Sequence, residues 1–399
     1  MRWVVVWMLL GGSALWAEEF RTWTDNSGRT VEGRVLSAST ENVVLELDAG
    51  GEVTVPILNL SQADREWLAE RDVADTQTEI VAPGERDYDG PEAEADWPRT
   101  VQLKDRPEVE VVKEDADARE FVYESDNYEF ISDSLLGATA VREFSRVFEA
   151  TRLVNALLPL DLRPMPEGDR EKFRARIFTD EGDYLGAGGM PGSAGVYGRR
   201  FEALMLPLKS LGVKMAGTRV TIDYVAEDYG TLIHEITHQM MNHWLGRLPV
   251  WYVEGSAEYV ELAEYDNARF SFIGQDRRLS RHLSLLAHLG KFEVLPLKDL
   301  MTMDGDTWSA ALVTPNGAMQ NYASALVLTY FFYHLDGEGK GDGMKAFLRA
   351  VAKLDPGDAI SGAIEEHLIR GRSYEELQDE VVKGLRRSGI NVVFGEASS

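Results

Sequence analysis

The pentapeptide His234-Glu235-Ile236-Thr237-His238 constrains this chain more than any other stretch. On an α-helix its two histidines lie one turn apart on the same face. Two neutral imidazoles in that arrangement can ligate a zinc ion, and Glu235 can act on a metal-bound water as a general base. Apolar residues around the motif recur at three- and four-residue steps, which predicts a helix from about Thr231 to Leu245, ended by Gly246. An amphipathic helix with two solvated histidines is the alternative.

The segment that follows offers a third ligand, which a hydrolytic zinc site needs beside an open position. The sequence PVWYVEGSAEYVE, from Pro249 to Glu261, predicts a second helix on which Glu254 and Glu258 share a face. Glu254 can ligate the metal, and Glu258 can accept the second ring N–H of a ligand histidine. Because Gly255 has no side chain, we expect the two helices to approach closely there. A charged surface helix is the alternative.

HEITH followed by P-x-W-x-x-E-G-x-A-E-Y resembles the gluzincin metallopeptidases, and most strongly a bacterial family of secreted peptidases in that clan. The resemblance implies that His234, His238 and Glu254 bind Zn²⁺ and that Glu235 is the general base. It also implies a zincin-like domain, with a small β-sheet before the zinc helix and a helical C-terminal half. An edge strand of that sheet would pair with an extended peptide substrate.

Gluzincins also carry a proton donor in the helical half, which stabilises the oxyanion formed at the attacked carbonyl. Tyr322 is our candidate, because its separation from Glu254 resembles that of the tyrosine with this role in aminopeptidase N. A core tyrosine on an apolar helix is the alternative, and His282 or His288 is the reserve donor. The glycine-rich loop at 186–192 lacks the glutamate of the aminopeptidase substrate loop, so endo- and exopeptidase action both stay open.

The N-terminus, residues 1–17, has a basic start, a short apolar run and small residues before an acidic pair. This pattern is typical of a secretory signal peptide, so we expect a secreted or periplasmic protein without a membrane span after cleavage. An uncleaved anchor is the alternative. The absence of cysteine excludes a disulfide framework. A net charge of −26 disfavours nucleic acid and anionic membranes as partners.

Three further regions are predicted from composition and spacing. Residues 18–72 contain short strands separated by turn residues, which predicts a small β-barrel. Their sequence resembles the SH3-like homology domain of Sla-type adaptors, which implies a peptide or surface ligand, although a passive spacer is also open. Residues 73–119 are acidic and contain proline, which predicts a solvated linker. Residues 120–390 are then the catalytic domain.

We therefore expect an α+β protein that acts as a secreted zinc metallopeptidase on peptides or proteins. Two functions of other classes stay open. One is a binding or scaffold protein with a structural or inactive zinc site. The other is a zinc amidase acting on a non-protein, cell-wall type amide.

Overall fold

The computed structural model describes residues 20–24, 29–38, 42–47, 52–56, 59–61, 63–65, 96–191, 193–198, 201–216, 219–222, 229–287, 291–314, 316–355 and 357–395. The predicted signal peptide, residues 66–72 of the predicted β domain and residues 73–95 of the predicted linker lie outside these ranges. The described residues form two compact units, the smaller holding those from 20 to 65 with Gly198 and Phe201. Their helices and strands give a mixed α+β fold, as predicted. Within the described ranges, no helix combines the length and apolarity needed to cross a membrane.

The smaller unit is an antiparallel sheet in which each strand pairs with the next one along the chain. Its strands are β1 (Arg21–Thr24), β2 (Thr30–Ala38), β3 (Asn42–Leu47) and β4 (Glu52–Pro56). Apolar side chains from one face form its core, together with one residue that follows the strands: Trp23, Val35, Val43, Leu45 and Leu60. The short strands expected from the sequence are therefore present.

A six-stranded mixed sheet is the largest sheet of the larger unit. After a short strand β5 (Thr100–Gln102), its members are β6 (Glu110–Asp115), β7 (Glu120–Glu124), β8 (Tyr128–Ser132), β9 (Phe173–Phe178), β10 (Val196–Gly198) and β11 (Ala203–Pro207). In space the order is β10-β11-β9-β8-β7-β6. Strand β9 runs parallel to both β8 and β11, whereas β6, β7 and β8 are antiparallel neighbours.

Helix α1 (Ala138–Leu157) connects β8 to β9 and packs on the sheet. Alternate residues of β8 are buried, as a strand with one face on the core requires. From that face the ring of Phe130 meets Phe144 and Phe148 of α1, with centroid distances of 5.3 and 5.1 Å. A helical connection of this length is what allows β8 and β9 to lie parallel.

The next helices are α2 (Glu181–Gly186), α3 (Gly230–Met240) and α4 (Val250–Glu261). Every residue of α3 from Leu232 onward is buried, so it is an interior helix. It ends at Met240, earlier than predicted. Beyond it, Asn242 Nδ2 donates to the Met165 carbonyl at 2.8 Å and Trp244 Nε1 to the Leu162 carbonyl at 2.7 Å. These bonds hold the chain in a series of turns after α3.

The C-terminal half is mainly helical, as expected. Its helices are α5 (Gln275–Leu286), α6 (Leu297–Thr302), α7 (Gly305–Leu312), α8 (Gly317–His334), α9 (Asp342–Ala352) and α10 (Tyr374–Arg387), with a π-helical turn at Ile364–Ile369. Short strands complete the larger unit: β12 (Val213–Ala216), β13 (Arg219–Ile222), β14 (Glu264–Asp266), β15 (Arg269–Ser271), β16 (Phe292–Val294) and β17 (Val392–Phe394).

Gly255 marks a close contact between α4 and α8. A Cβ atom at this position would lie 2.4 Å from the carbonyl oxygen of Ala325 and 2.2 Å from Thr329 Oγ1. Only glycine leaves room for that approach. From the sequence we expected Gly255 to allow a close approach of α3 and α4, and that prediction is wrong. Gly255 follows Glu254 in sequence and so points about 100° further round the helix, which lets Gly255 face α8 while Glu254 faces α3.

The end of the predicted linker, from residue 96 onward, belongs to the larger unit. Residues 97–102, which we call the Trp97 strap, end in β5, and β5 pairs with β15. The ring of Trp97 lies 4.6 Å from Tyr333 and 4.7 Å from His334, and its Nε1 donates to the Lys340 carbonyl at 3.1 Å. Strand β6 then pairs with β7 at the sheet edge. Its charged side chains are largely exposed, so its composition resembles that of a solvated segment although its backbone is paired.

Candidate metal centre

Helices α3 and α4 bring three potential ligands together. Glu254 Oε2 lies 3.4 Å from Nε2 of His234 and 3.4 Å from Nε2 of His238. The two imidazole rings have centroids 4.7 Å apart, as expected for residues one turn apart on a helix. All three side chains are buried, and together they form a group that can hold a metal ion. The structure thus gathers the three residues that the sequence analysis named as ligands.

The spacing of these atoms fits a tetrahedral cation site. Zinc binds histidine nitrogen and carboxylate oxygen at about 2.0–2.2 Å, which places neighbouring tetrahedral ligands about 3.3–3.5 Å apart. The two distances of 3.4 Å from Glu254 agree with this range. Two imidazoles and one carboxylate are also a donor set that suits zinc. In the part of the chain that the structure describes, this group supplies three ligands, one fewer than a closed structural zinc site uses.

The far side of the His234 ring is bounded by two more glutamates of α4. His234 Nδ1 lies 3.2 Å from Glu261 Oε2, within hydrogen-bonding distance, and 3.8 Å from Glu258 Oε1. The sequence analysis named Glu258 as the partner of a ligand histidine and missed Glu261. The signal was present, since Glu261 lies one turn beyond Glu258 on the same face of the helix. Glu261 is therefore the residue that orients His234, with Glu258 beside it.

Buried charge around the centre favours a cation. Burial on its own would raise the pKa of Glu254, but His238 and His234 outweigh it and lower that pKa to about 2. Burial would lower the pKa of His234, but Glu254, Glu261 and Glu258 raise it well above the usual value. Burial lowers the pKa of His238. The carboxylates thus create a field at His234 that stabilises positive charge, which a bound metal ion would supply.

Glu235, the candidate general base, is fully buried on α3 beside the ligand histidines. Burial and the nearby Glu235 carboxylate both raise the pKa of Tyr184, which follows β9 on α2. The Tyr184 hydroxyl is hydrogen-bonded to Ser193 Oγ at 2.6 Å. A Cβ at Gly189 would lie 2.4 Å from the Tyr184 ring, so the glycine-rich loop folds over this tyrosine. The sequence analysis singled out the loop but not Tyr184.

Tyr322 lies on α8 and contacts His234, one of the candidate metal ligands. Its ring centroid is 6.1 Å from that of His234, at an interplanar angle of 72°. The Tyr322 ring also makes an edge-to-face contact with Trp308 of α7, with centroids 5.5 Å apart. The structure therefore brings the candidate proton donor to the centre. Of the reserve donors, His282 lies on α5 and is not a member of the ligand group, and His288 lies outside the described residues.

Comparisons with known proteins add no family assignment. Neither the models of protein families nor the curated proteins give a match to this chain. The geometry of the centre, formed by His234, His238 and Glu254 with Glu261 behind it, is accordingly the basis for assigning a function.

Proposed function

We propose that the protein is a gluzincin-type zinc peptidase that hydrolyses peptide bonds, with Glu235 as general base. One observation carries the proposal. His234, His238 and Glu254 present three ligand atoms at the spacing of a tetrahedral zinc site, and the fourth position is left for water or substrate. A structural zinc site takes four protein ligands, so this incomplete set favours catalysis over a scaffold role.

The roles of the side chains follow from their positions. A bound zinc ion would supply Lewis acidity, polarising the substrate carbonyl and lowering the pKa of a water molecule toward about 7. Glu235, next to His234 in sequence and buried with it, accepts the proton of the attacking water and delivers it to the leaving nitrogen. Tyr322 donates a hydrogen bond to the oxygen on which negative charge develops. Glu261 holds the His234 ring with Nε2 toward Glu254.

We also propose a fold type for each of the two units. The larger unit is taken as a zincin-like domain, because a mixed sheet precedes α3 and helices follow it. The smaller unit is taken as an SH3-like domain that binds a peptide or a surface ligand, supported by its four-stranded antiparallel sheet. Secretion or export to the periplasm follows from the pattern of residues 1–17.

The test combines metal analysis with turnover on the purified protein. We expect one zinc per chain in the parent, and a large loss of zinc in Glu254→Ala. Glu235→Gln should keep the zinc and lower kcat on a peptide library by at least about a thousandfold, because it removes the proton acceptor. Glu375→Gln, an exposed glutamate on α10, is the matched control and should leave both quantities unchanged.

Three outcomes would replace the proposal. Absence of bound metal after incubation with zinc would favour a scaffold protein. Bound zinc with equal activity in Glu235→Gln and the parent would show that Glu235 is not the base. Zinc-dependent release of amine from a cell-wall type amide, without cleavage of peptides or proteins, would identify the enzyme as an amidase.

A further inference from the structure

Three aromatic rings make successive edge-to-face contacts at the candidate metal centre. Trp308 meets Tyr322 with their ring planes at 88°, and Tyr322 meets His234 with theirs at 72°. The centroid distances of 5.5 and 6.1 Å lie within the range of favourable edge-to-face contacts. The ring of Tyr322 therefore contacts both a potential metal ligand and a tryptophan from another helix.

Trp308 lies on helix α7 and is one of its buried residues. The helix is short, and Trp308 and Leu312 are its buried residues, while the other six are exposed or half-buried. Its start is fixed by Asp304, whose carboxylate accepts the Thr307 backbone N–H at 2.8 Å. Such a helix contributes little core of its own, and the large side chain that it buries is placed against Tyr322.

The chain is tightly packed where α7 connects to α8. A Cβ at Gly317 would lie 2.0 Å from the carbonyl oxygen of Ala311. Next to Tyr322, the side-chain amide of Asn321 reaches the Trp308 carbonyl at 3.5 Å. The backbone around Trp308 is thus tied to the first turns of α8, where Tyr322 lies.

We propose that Trp308 is a positioning residue that fixes the Tyr322 ring against His234 and so aims the Tyr322 hydroxyl at the substrate carbonyl. This proposal rests on the proposed function, in which Tyr322 stabilises the oxyanion. The physical reason is that a hydrogen-bond donor accelerates a reaction only when it is already aligned with the charge that develops. A phenol ring without its neighbour can turn away, and a displacement of about 1 Å can cost a hundredfold in rate.

A double-mutant cycle on kcat tests the proposal. Trp308→Leu should lower kcat by about ten- to a hundredfold while KM changes by less than about twofold, because the lost interaction acts in the transition state. Tyr322→Phe should lower kcat by about a hundredfold or more. In the Tyr322→Phe background, adding Trp308→Leu should cost less than about twofold, because the residue that Trp308 positions has lost its hydroxyl.

Two controls separate positioning from stability. Leu312→Ala removes another buried side chain of α7 and should leave kcat within about threefold of the parent. Trp308→Phe keeps an aromatic ring against Tyr322 and should restore most of the activity lost in Trp308→Leu. Zinc content should stay at one per chain in every variant.

A readout without turnover makes the test independent of the proposed function. In crystal structures, the Tyr322 side chain should occupy one rotamer in the parent and in Leu312→Ala, and should be displaced or occupy several rotamers in Trp308→Leu. An ordered, unmoved Tyr322 in Trp308→Leu would overturn the proposal. Equal losses of kcat from Trp308→Leu with and without the Tyr322 hydroxyl would also overturn it. A parent that binds zinc but hydrolyses nothing would instead count against the proposed function.

Discussion

Glu261 Oε2 lies 3.2 Å from Nδ1 of His234, on the edge of the ring opposite the nitrogen that faces Glu254. A carboxylate in this place keeps the proton on Nδ1 and leaves the lone pair of Nε2 for a metal ion. The ring of His234, one candidate ligand, is thus oriented by a residue of α4, the helix that also carries the candidate ligand Glu254.

Loss of Glu261 should weaken metal binding. We expect Glu261→Ala to raise the zinc Kd by about ten- to a hundredfold, because His234 loses the acceptor that orients it. Glu258→Ala removes the same charge from the more distant position, 3.8 Å from Nδ1, and should have a smaller effect. Competition with a chromophoric chelator measures both values. Equal effects of the two variants would mean that charge matters here and orientation does not.

A methyl group at Gly255 should destabilise the larger unit. Gly255→Ala forces an atom into the backbone of α8 at Ala325, and we expect a loss of about 2–3 kcal/mol in the free energy of unfolding. Gly362 is the matched control, since a Cβ there meets no atom within 4 Å. Gly362→Ala should be neutral or slightly stabilising. Urea unfolding followed by circular dichroism compares the two, and similar midpoints would contradict the close packing of α4 on α8.

His334 should make stability fall in mild acid. Burial lowers its pKa from 6.5 to about 4, and its Nε2 lies 2.8 Å from the Tyr259 hydroxyl. Above pH 6.5 the residue is neutral in both folded and unfolded chains and has no effect. As the pH falls from 6.5 to about 4, the unfolded chain gains the proton first, and up to about 3 kcal/mol of stability is lost.

The measurement for His334 is a difference between two proteins, because many other groups titrate in the same range. His334→Gln keeps a polar group near Tyr259 but cannot gain a proton. The decrease in unfolding free energy between pH 7 and 4.5 should therefore be smaller in the variant than in the parent. Identical pH dependence in both proteins would show that His334 titrates normally in the folded state.

The Trp97 strap should contribute to the stability of the helical half. Trp97→Ala removes ring contacts with Tyr333 and His334, and we expect a loss of about 2 kcal/mol, below the value for a fully buried tryptophan. Trp97→Phe keeps a ring there and should lose less. Thermal unfolding of the larger unit measures both. No change in Trp97→Ala would mean that the strap is held by β5 pairing alone.

Local periodicity accounts for what the sequence predicted well. Histidines spaced i and i+4 on a helix share a face in any fold, so the arrangement of His234 and His238 needed no tertiary information. Alternation along the strands and the helical patterns of the C-terminal half likewise reflect short-range rules, and they gave the α+β class.

The features that the sequence predicted poorly depend on contacts between separate helices and strands. Glu258 and Glu261 lie on the same face of α4, and the crossing of α3 and α4 decides which one reaches His234. Gly255 signals a close approach but not the partner, which is α8. The exposed charges of β6 suggested an unpaired segment, because amino-acid composition does not show whether a backbone is hydrogen-bonded to a neighbouring strand. None of these choices can be read from spacing alone.

The contact at Gly255 also limits how the centre can move. Its neighbour in sequence, Glu254, belongs to the ligand group, and the helix on which it packs carries Tyr322. Two helices packed this closely cannot slide past each other without a clash at Gly255, so we expect α4 and α8 to move together. The distance between Glu254 and the Tyr322 backbone should then stay nearly constant during thermal motion. We expect any opening that admits a ligand to come from the elements outside this pair.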